Sequence, residues 1–428
     1  MNMAMAMAAI VPQQSLPKVV RRRGSLSKRS VKEWGVRGAL AVLALGLGGI
    51  SIANSLAEVV KGDDPAQAHV LAPGNGKITA LLAAKQLGDA SVESASSETV
   101  QLARLAVRQD PTAVQAIATL GFEAMMQHNP TMARRLFAYS QHLSRRDLQT
   151  QIWAIEDAVT QGDVADALRH YDIALRTSNR APDLLFPVLS KAIVDTDVRT
   201  GLVAIMAKRP GWSLQFINYL ANSSGSLEVS ANFLAQLQHA GVRAPEDAVA
   251  ATVNGLLANQ AFEAAWQFYA SVRSGVDRRQ SRNPQFSSNL STPSQFDWTP
   301  VNDAVINTSI QRDGRHGLFD FSVPPSVGGT LLTQMQMLPP GRYKLEGHTT
   351  GIDQSAQTAP YWVLTCHGGG ELGRIEIPNS TQSDGAFSGQ LQVDRNCPVQ
   401  MLALIARASD GIAGNSGQIN RVQLSPVI

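Results

Sequence analysis

From residue 78 to about residue 273, alanine and leucine recur at three- and four-residue spacing, the period of helices that each bury one face. Polar turns cut this run into short helices: Gly162-Asp163, Pro210-Gly211-Trp212, residues 222–225 and residues 241–245, with one helix expected over 227–240. From residue 297 the period falls to two. Eight strand-like runs, 318–323, 331–337, 343–346, 361–366, 374–377, 387–393, 399–406 and 419–424, alternate with Gly, Pro, Asn and Asp clusters. That pattern predicts an antiparallel sandwich or jelly roll. Ahead of both regions, residues 38–57 hold no charged side chain and are just long enough to cross a bilayer.

The fold class that follows is multidomain: an N-terminal single transmembrane helix, an all-α helical-repeat solenoid and a C-terminal all-β sandwich or jelly roll. The expected boundaries are a disordered basic cytoplasmic tail over 1–37, an anchor over 38–60, a linker over 61–77, a helical-repeat domain over 78–275, a linker over 276–295 and a β-sandwich over 296–428. At 428 residues the chain is too long for one ordinary domain, and 44% hydrophobic residues against 17% charged suffice for real cores.

Charge changes the picture at the N-terminus. The formal net charge of +3 conceals +7 over residues 1–37, where eight basic residues face only Glu33, so the rest of the chain carries −4. An acidic body argues against nucleic acid as a partner. A basic cluster before an apolar run stays on the cytoplasmic side, so the chain is expected to be a single-pass bacterial inner-membrane protein with its bulk in the periplasm. Cleavage after Ser55-Leu56-Ala57 is the competing reading. Cys366 and Cys397 are the only cysteines, and export would allow them to pair as a disulfide.

The helical region has a longer repeat. Ala133, Phe137 and Ser140 recur 34 residues later as Ala167, Tyr171 and Ala174, and the same register 34 residues earlier gives Thr99, Ala103 and Ala106. Ile117, Leu120, Gly121 and Ala124 precede Ala133 at matching offsets. This resembles the tetratricopeptide repeat family, which implies a solenoid that docks a protein partner. Arg134, Arg135, Arg145, Arg146 and Arg169 are the candidates to line a groove for an acidic peptide, with plain solvated helix faces as the alternative.

Chemistry-bearing motifs are sparse. Gly74-Asn75-Gly76-Lys77-Ile78 departs from a phosphate loop, which needs a glycine at Leu71 and a hydroxyl at Ile78. No serine stands in a nucleophile elbow, and His316, His348 and His367 lack paired ligand spacing, so neither cofactor nor metal is expected. In the last region Trp298, Tyr361 and Trp362 are candidate faces for sugar stacking; alternation sends Tyr361 and Trp362 to opposite sides of their strand, and the alternative is that both serve packing, the outward one shielded by a loop. By strand count and by Phe296-Asp297-Trp298 and Tyr361-Trp362, the region is similar to galactose-binding or carbohydrate-binding sandwiches. The combination of domains resembles tetratricopeptide accessory proteins of exopolysaccharide synthesis and export. It implies a non-catalytic envelope scaffold that binds a protein through its repeats and a polysaccharide through its sandwich. The alternatives are a polysaccharide-modifying enzyme with its active site in the sandwich, and a purely structural protein-assembly module.

Overall fold

The computed structural model describes residues 30–89, 97–223, 225–313, 316–409 and 414–427. The cationic residues from Lys18 to Arg29, most of the expected tail, lie outside them. The chain divides into two compact units, Met1–Pro130 and Thr131–Ile428.

In the first unit, α1 (Val31–Val60) runs 30 residues and is long and apolar enough to cross a membrane. It begins inside the stretch expected as tail. Ser30 caps it by accepting from the Glu33 N–H, and Glu33 pairs with Arg37 one turn on at 3.1 Å, so residues 31–37 are helical. Leu40, Val42, Leu45, Ile50 and Ile52 are all exposed, an apolar surface that none of the described residues covers. The stretch expected as a linker over 61–77 also holds a helix, α2 (Pro65–Leu71). Asp64 caps it by accepting from the Ala66 and Gln67 N–H groups, and Pro65 sits where no N–H is needed. The following helices α3 (Gly76–Asp89), α4 (Ser97–Gln109) and α5 (Val114–Met126) meet through alanines 80, 83, 103, 106, 113 and 116. Small side chains allow the close approach: a Cβ on Gly76 would lie 2.7 Å from that of Asp110.

In the second unit, α6 (Pro130–Leu143) is followed by α7 (Leu148–Thr160), α8 (Val164–Thr177), α9 (Ala181–Ala192), α10 (Thr196–Met206), α11 (Ser213–Asn222), α12 (Leu227–His239), α13 (Glu246–Ala258) and α14 (Phe262–Val272). Helices α9, α11 and α13 neighbour one another along one layer, and α8, α10, α12 and α14 along the other. This is a stacked two-layer array. The small and aromatic positions read at 34-residue spacing are all buried, in both units. Phe137 of α6 stacks on Trp153 of α7 with ring centroids 4.2 Å apart, which is the gap-filling the spacing implies.

Beyond the array lies a sandwich of two antiparallel five-stranded sheets. One runs β1 (Thr299–Pro300), β4 (Gly329–Gln336), β9 (Gln400–Ala406), β6 (Tyr361–Cys366), β7 (Glu371–Glu376). The other runs β2 (Asn307–Asp313), β3 (His316–Val323), β10 (Asn415–Pro426), β5 (Gly341–Thr350), β8 (Ala386–Val393). Phe319, Phe321, Leu345, Trp362, Leu364, Leu404 and Val422 fill the space between them. Cys366 and Cys397 form a disulfide with Cα atoms 5.6 Å apart.

The polar stretch 276–295, expected as a linker, carries no helix or strand but is packed as a strap. Phe286 takes a left-handed φ of +52° and buries its ring against Trp298 and Phe319. Arg282, only 5% exposed, donates to the Phe296 carbonyl, the Met335 carbonyl and Gln336, and its guanidinium lies over the Trp266 and Phe296 rings. Met335, Met337 and Val399 of the sandwich join Trp266, Phe268 and Tyr269 of α14 in one core. What holds the strap is a planar cation that fits between aromatic rings while its fork satisfies backbone carbonyls.

Candidate functional site

The three aromatic residues expected to stack sugars do not form a platform. Trp298 is 3% and Trp362 0% exposed, their rings 5.8 Å apart in the sandwich core, so neither face is open to a ligand. Trp362 points inward because it shares parity with Leu364, opposite Leu404 of β9. Tyr361 does point outward and is half-buried, as alternation requires, but Arg374 and Arg407 lie against its ring at 4.2 and 4.3 Å. Glu371 and Glu376 hold those guanidiniums in place.

The outer face of that first sheet is occupied along much of its length. Its outward residues Met335 and Met401 pack on the helix array, and His367, at the end of β6, meets Phe262 of α14 edge-on at 5.5 Å.

The outer face of the second sheet is different. Register places its outward side chains in cross-strand rows. One row runs Ser309, Asp320, Gln418, Thr350. In the next, Gln311 stands opposite Leu318, and Arg421 opposite His348 opposite Ala386. All are half-buried or exposed. Five strands at ladder spacing make the face about 19 Å wide. Hydrogen bonds within it fix the rotamers: Gln418 Nε2 donates to Asp320 Oδ2 at 2.9 Å, and the Thr350 hydroxyl lies 3.3 Å from Gln418 Oε1 and 3.2 Å from Asn420 Oδ1. Lys344 pairs with Glu346 at 2.7 Å and holds its carboxyl below the usual range.

A β-bulge shapes this surface. The β10–β5 register shifts between Ile419 and Arg421, so Asn420 is the extra residue, and Gln418 and Arg421 both reach the outer face around buried Ile419. Two hollows flank the bulge. One of 320 Å³ is lined by Glu346, His348, Phe387 and Ser388, the other of 500 Å³ by Gln311, Asp313, His316 and Asn420, and Arg421 lines both. Of these residues the sequence singled out only His316 and His348, which lack paired ligand spacing, and carries no motif at Gln311, Gln418 or Arg421. The alternation was visible, but which sheet would be left uncovered was not.

The five candidate docking arginines are spread over α6, the α6–α7 turn and α8. Arg134 donates to Asp157 of α7 from both Nε and Nη2, and Arg169 pairs with Asp166 at 2.6 Å, while Arg135, Arg145 and Arg146 are exposed. Among the described residues no group of three or more His, Cys, Asp or Glu side chains is arranged to hold a metal.

A two-sheet antiparallel sandwich seated on a helix array, preceded by one apolar helix, is the class of protein this chain defines. No family model matches it, and no curated protein matches it. In fold it is similar to the enzymatically active domain of bacteriophage CBA120 tailspike protein 4, at 13% identity over 36% of this chain and 21% of that one, with a TM-score of 0.24. A glycosylation-associated protein complex from Streptococcus agalactiae is similar at 12% identity over 28% of this chain and 39% of that one, with a TM-score of 0.20. TmCBM61, solved with β-1,4-galactotriose, is similar at 14% identity over 36% of this chain and 99% of that one, with a TM-score of 0.24. The chain thus spans well under two thirds of the first two structures. Likenesses at these TM-scores carry no argument about this chain.

Proposed function

We propose that this chain is a non-catalytic, membrane-anchored scaffold of a bacterial envelope, which binds glycan through the outer face of the second sheet and docks a protein through its tetratricopeptide-like helix array. The supporting observation is the asymmetry of the sandwich: one sheet packs its outer face on helices, while the other presents rows of Ser, Asp, Gln, Thr, Asn, His and Arg. Such donors and acceptors, held on a rigid sheet, suit the hydroxyls of a sugar chain. The apolar exposed length of α1 supports the anchor, and the pairing of Cys366 with Cys397 supports an oxidising compartment. Exopolysaccharide synthesis or export is the pathway such an assembly would serve.

The test is affinity-gel retardation of the full-length chain in detergent over a panel of bacterial polysaccharides. Retardation by at least one polymer is expected, lost in Asp320→Ala and Gln418→Ala with the melting temperature unchanged. No retardation on any polymer favours a purely structural module, and release of reducing sugar by the purified chain favours an enzyme. A reporter fused behind residue 70 that is active only in the cytosol would overturn the orientation.

A further inference from the structure

The hollows on either side of the bulge share one side chain, and that side chain is a guanidinium. Arg421 is 53% exposed, and its nearest carboxylate oxygen is Glu346 Oε1 at 3.9 Å, beyond hydrogen-bond length. Glu346 is itself held by Lys344, and Asp320 already accepts from Gln418. The acid on the larger hollow, Asp313, shares the lining with Arg312 and stands across the strand pair from His316. The smaller hollow adds His348 directly opposite Arg421. Among the described residues, the fork of Arg421 is therefore committed to no tight ion pair, and its side chain is exposed.

We infer that Arg421 makes this face selective for an acidic glycan, taking the planar carboxylate of a uronic acid residue where the two hollows meet. The inference rests on the glycan reading above and adds the substrate class. Arg421 is the one arginine that lines both hollows, Arg312 lining only the larger, and its planar fork matches a carboxylate bidentately. The bulge is what makes the site. It brings Gln418 and Arg421 to the same face, so that amide groups can take ring hydroxyls beside the bound acid.

Binding of the full-length chain is measured by titration with two uronate probes, an oligogalacturonate and a hyaluronan hexasaccharide, each beside its carboxyl-reduced neutral counterpart. The acidic form is expected to bind about tenfold more tightly, the advantage of a charge-assisted hydrogen bond over a neutral one. That advantage shrinks with added salt and disappears in Arg421→Gln, whose melting temperature stays at the wild-type value because the side chain is half exposed. Equal binding of acidic and neutral forms, or an equal loss on both in Arg421→Gln, overturns the acidic selectivity and leaves the glycan reading standing. Failure of all four probes, together with no retardation on any polysaccharide, overturns the glycan reading and this inference with it.

Discussion

Arg282 Nη1 donates to Gln336 Oε1 at 2.8 Å, a bond from the strap into the buried end of β4. Around it, Gln334 and the Arg282 backbone exchange two further bonds, at 3.2 and 3.1 Å. Burial pulls the guanidinium down to about 10, with Tyr269 and Asp297 opposing, so it stays charged at neutral pH. Removing it leaves two backbone carbonyls and a glutamine oxygen without their donor. Arg282→Met is expected to cost at least about 3 kcal/mol, and Arg282→Lys to recover little, because an ammonium cannot span the fork. Thermal unfolding of the full chain reads both.

The strap also shows why the sequence revealed architecture better than contacts. Alternation placed the eight strands from β3 to β10, since each turns one apolar row inward. It passed over β2, whose sequence NTSIQRD buries only Thr308 fully, because an edge strand at the sandwich rim has little to hide. Arg282 looked like any other residue in a run of Arg, Ser, Asn and Gln. Nothing local distinguishes a solvated arginine from one whose carbonyl partners come from β4, more than fifty residues on. Likewise Tyr361-Trp362 fixed that one aromatic must point outward, but the two arginines that cover Tyr361 come from β7 and from the residue just past β9. The bulge at Asn420, which creates the candidate site, shows in the sequence only as a break in alternation, two polar residues, Asn420 and Arg421, standing between buried Ile419 and buried Val422.

Trp362 separates packing from binding. Its indole is fully buried, and its Nε1–H has no hydrogen-bond partner among the described residues. Trp362→Ala is expected to cost about 3–5 kcal/mol through the cavity it opens. Trp362→Phe is expected to stay within about 1 kcal/mol of wild type, because losing the orphaned donor offsets the smaller ring. Denaturant titration gives the stabilities. A stable Trp362→Phe chain that no longer binds glycan would show that the indole reaches ligand after all.

His170 gives the helix array a pH dependence with a definite sign. Its Nε2 lies 2.8 Å from Arg169 Nη2, which can only donate, so Nε2 accepts and Nδ1 donates to Gln151 Oε1 at 2.7 Å. The ring is therefore neutral. Burial first, then the Arg169 charge, lowers its pKa from 6.5; Asp166 opposes this and Arg145 adds to it. Below 6.5 the unfolded chain takes up a proton that the folded chain refuses. Stability then falls as pH drops from 6.5 toward the folded value, and is fully retained above it. Comparing wild type with His170→Gln from about pH 7.5 to about pH 5, the wild type is expected to lose stability relative to the variant on acidification. Parallel curves would mean that the imidazole is not held neutral.

The disulfide fixes the sandwich end nearest the helices. Cys366 closes β6 and Cys397 precedes β9, a separation of 31 residues, and the neighbouring His367 seats on Phe262 of α14. A loop of that length, closed in the unfolded chain, corresponds to about 3–4 kcal/mol. Reduction, or Cys397→Ser, is thus expected to lower the melting temperature of the second unit while leaving α3, α4 and α5 of the first unaffected, since the bond constrains none of them. Alkylation of protein taken directly from the cells that produce it natively, followed by intact-mass measurement, is expected to find no free thiol. Two free thiols there would mean that the sandwich folds in a reducing compartment, and the orientation drawn from α1 would be reversed.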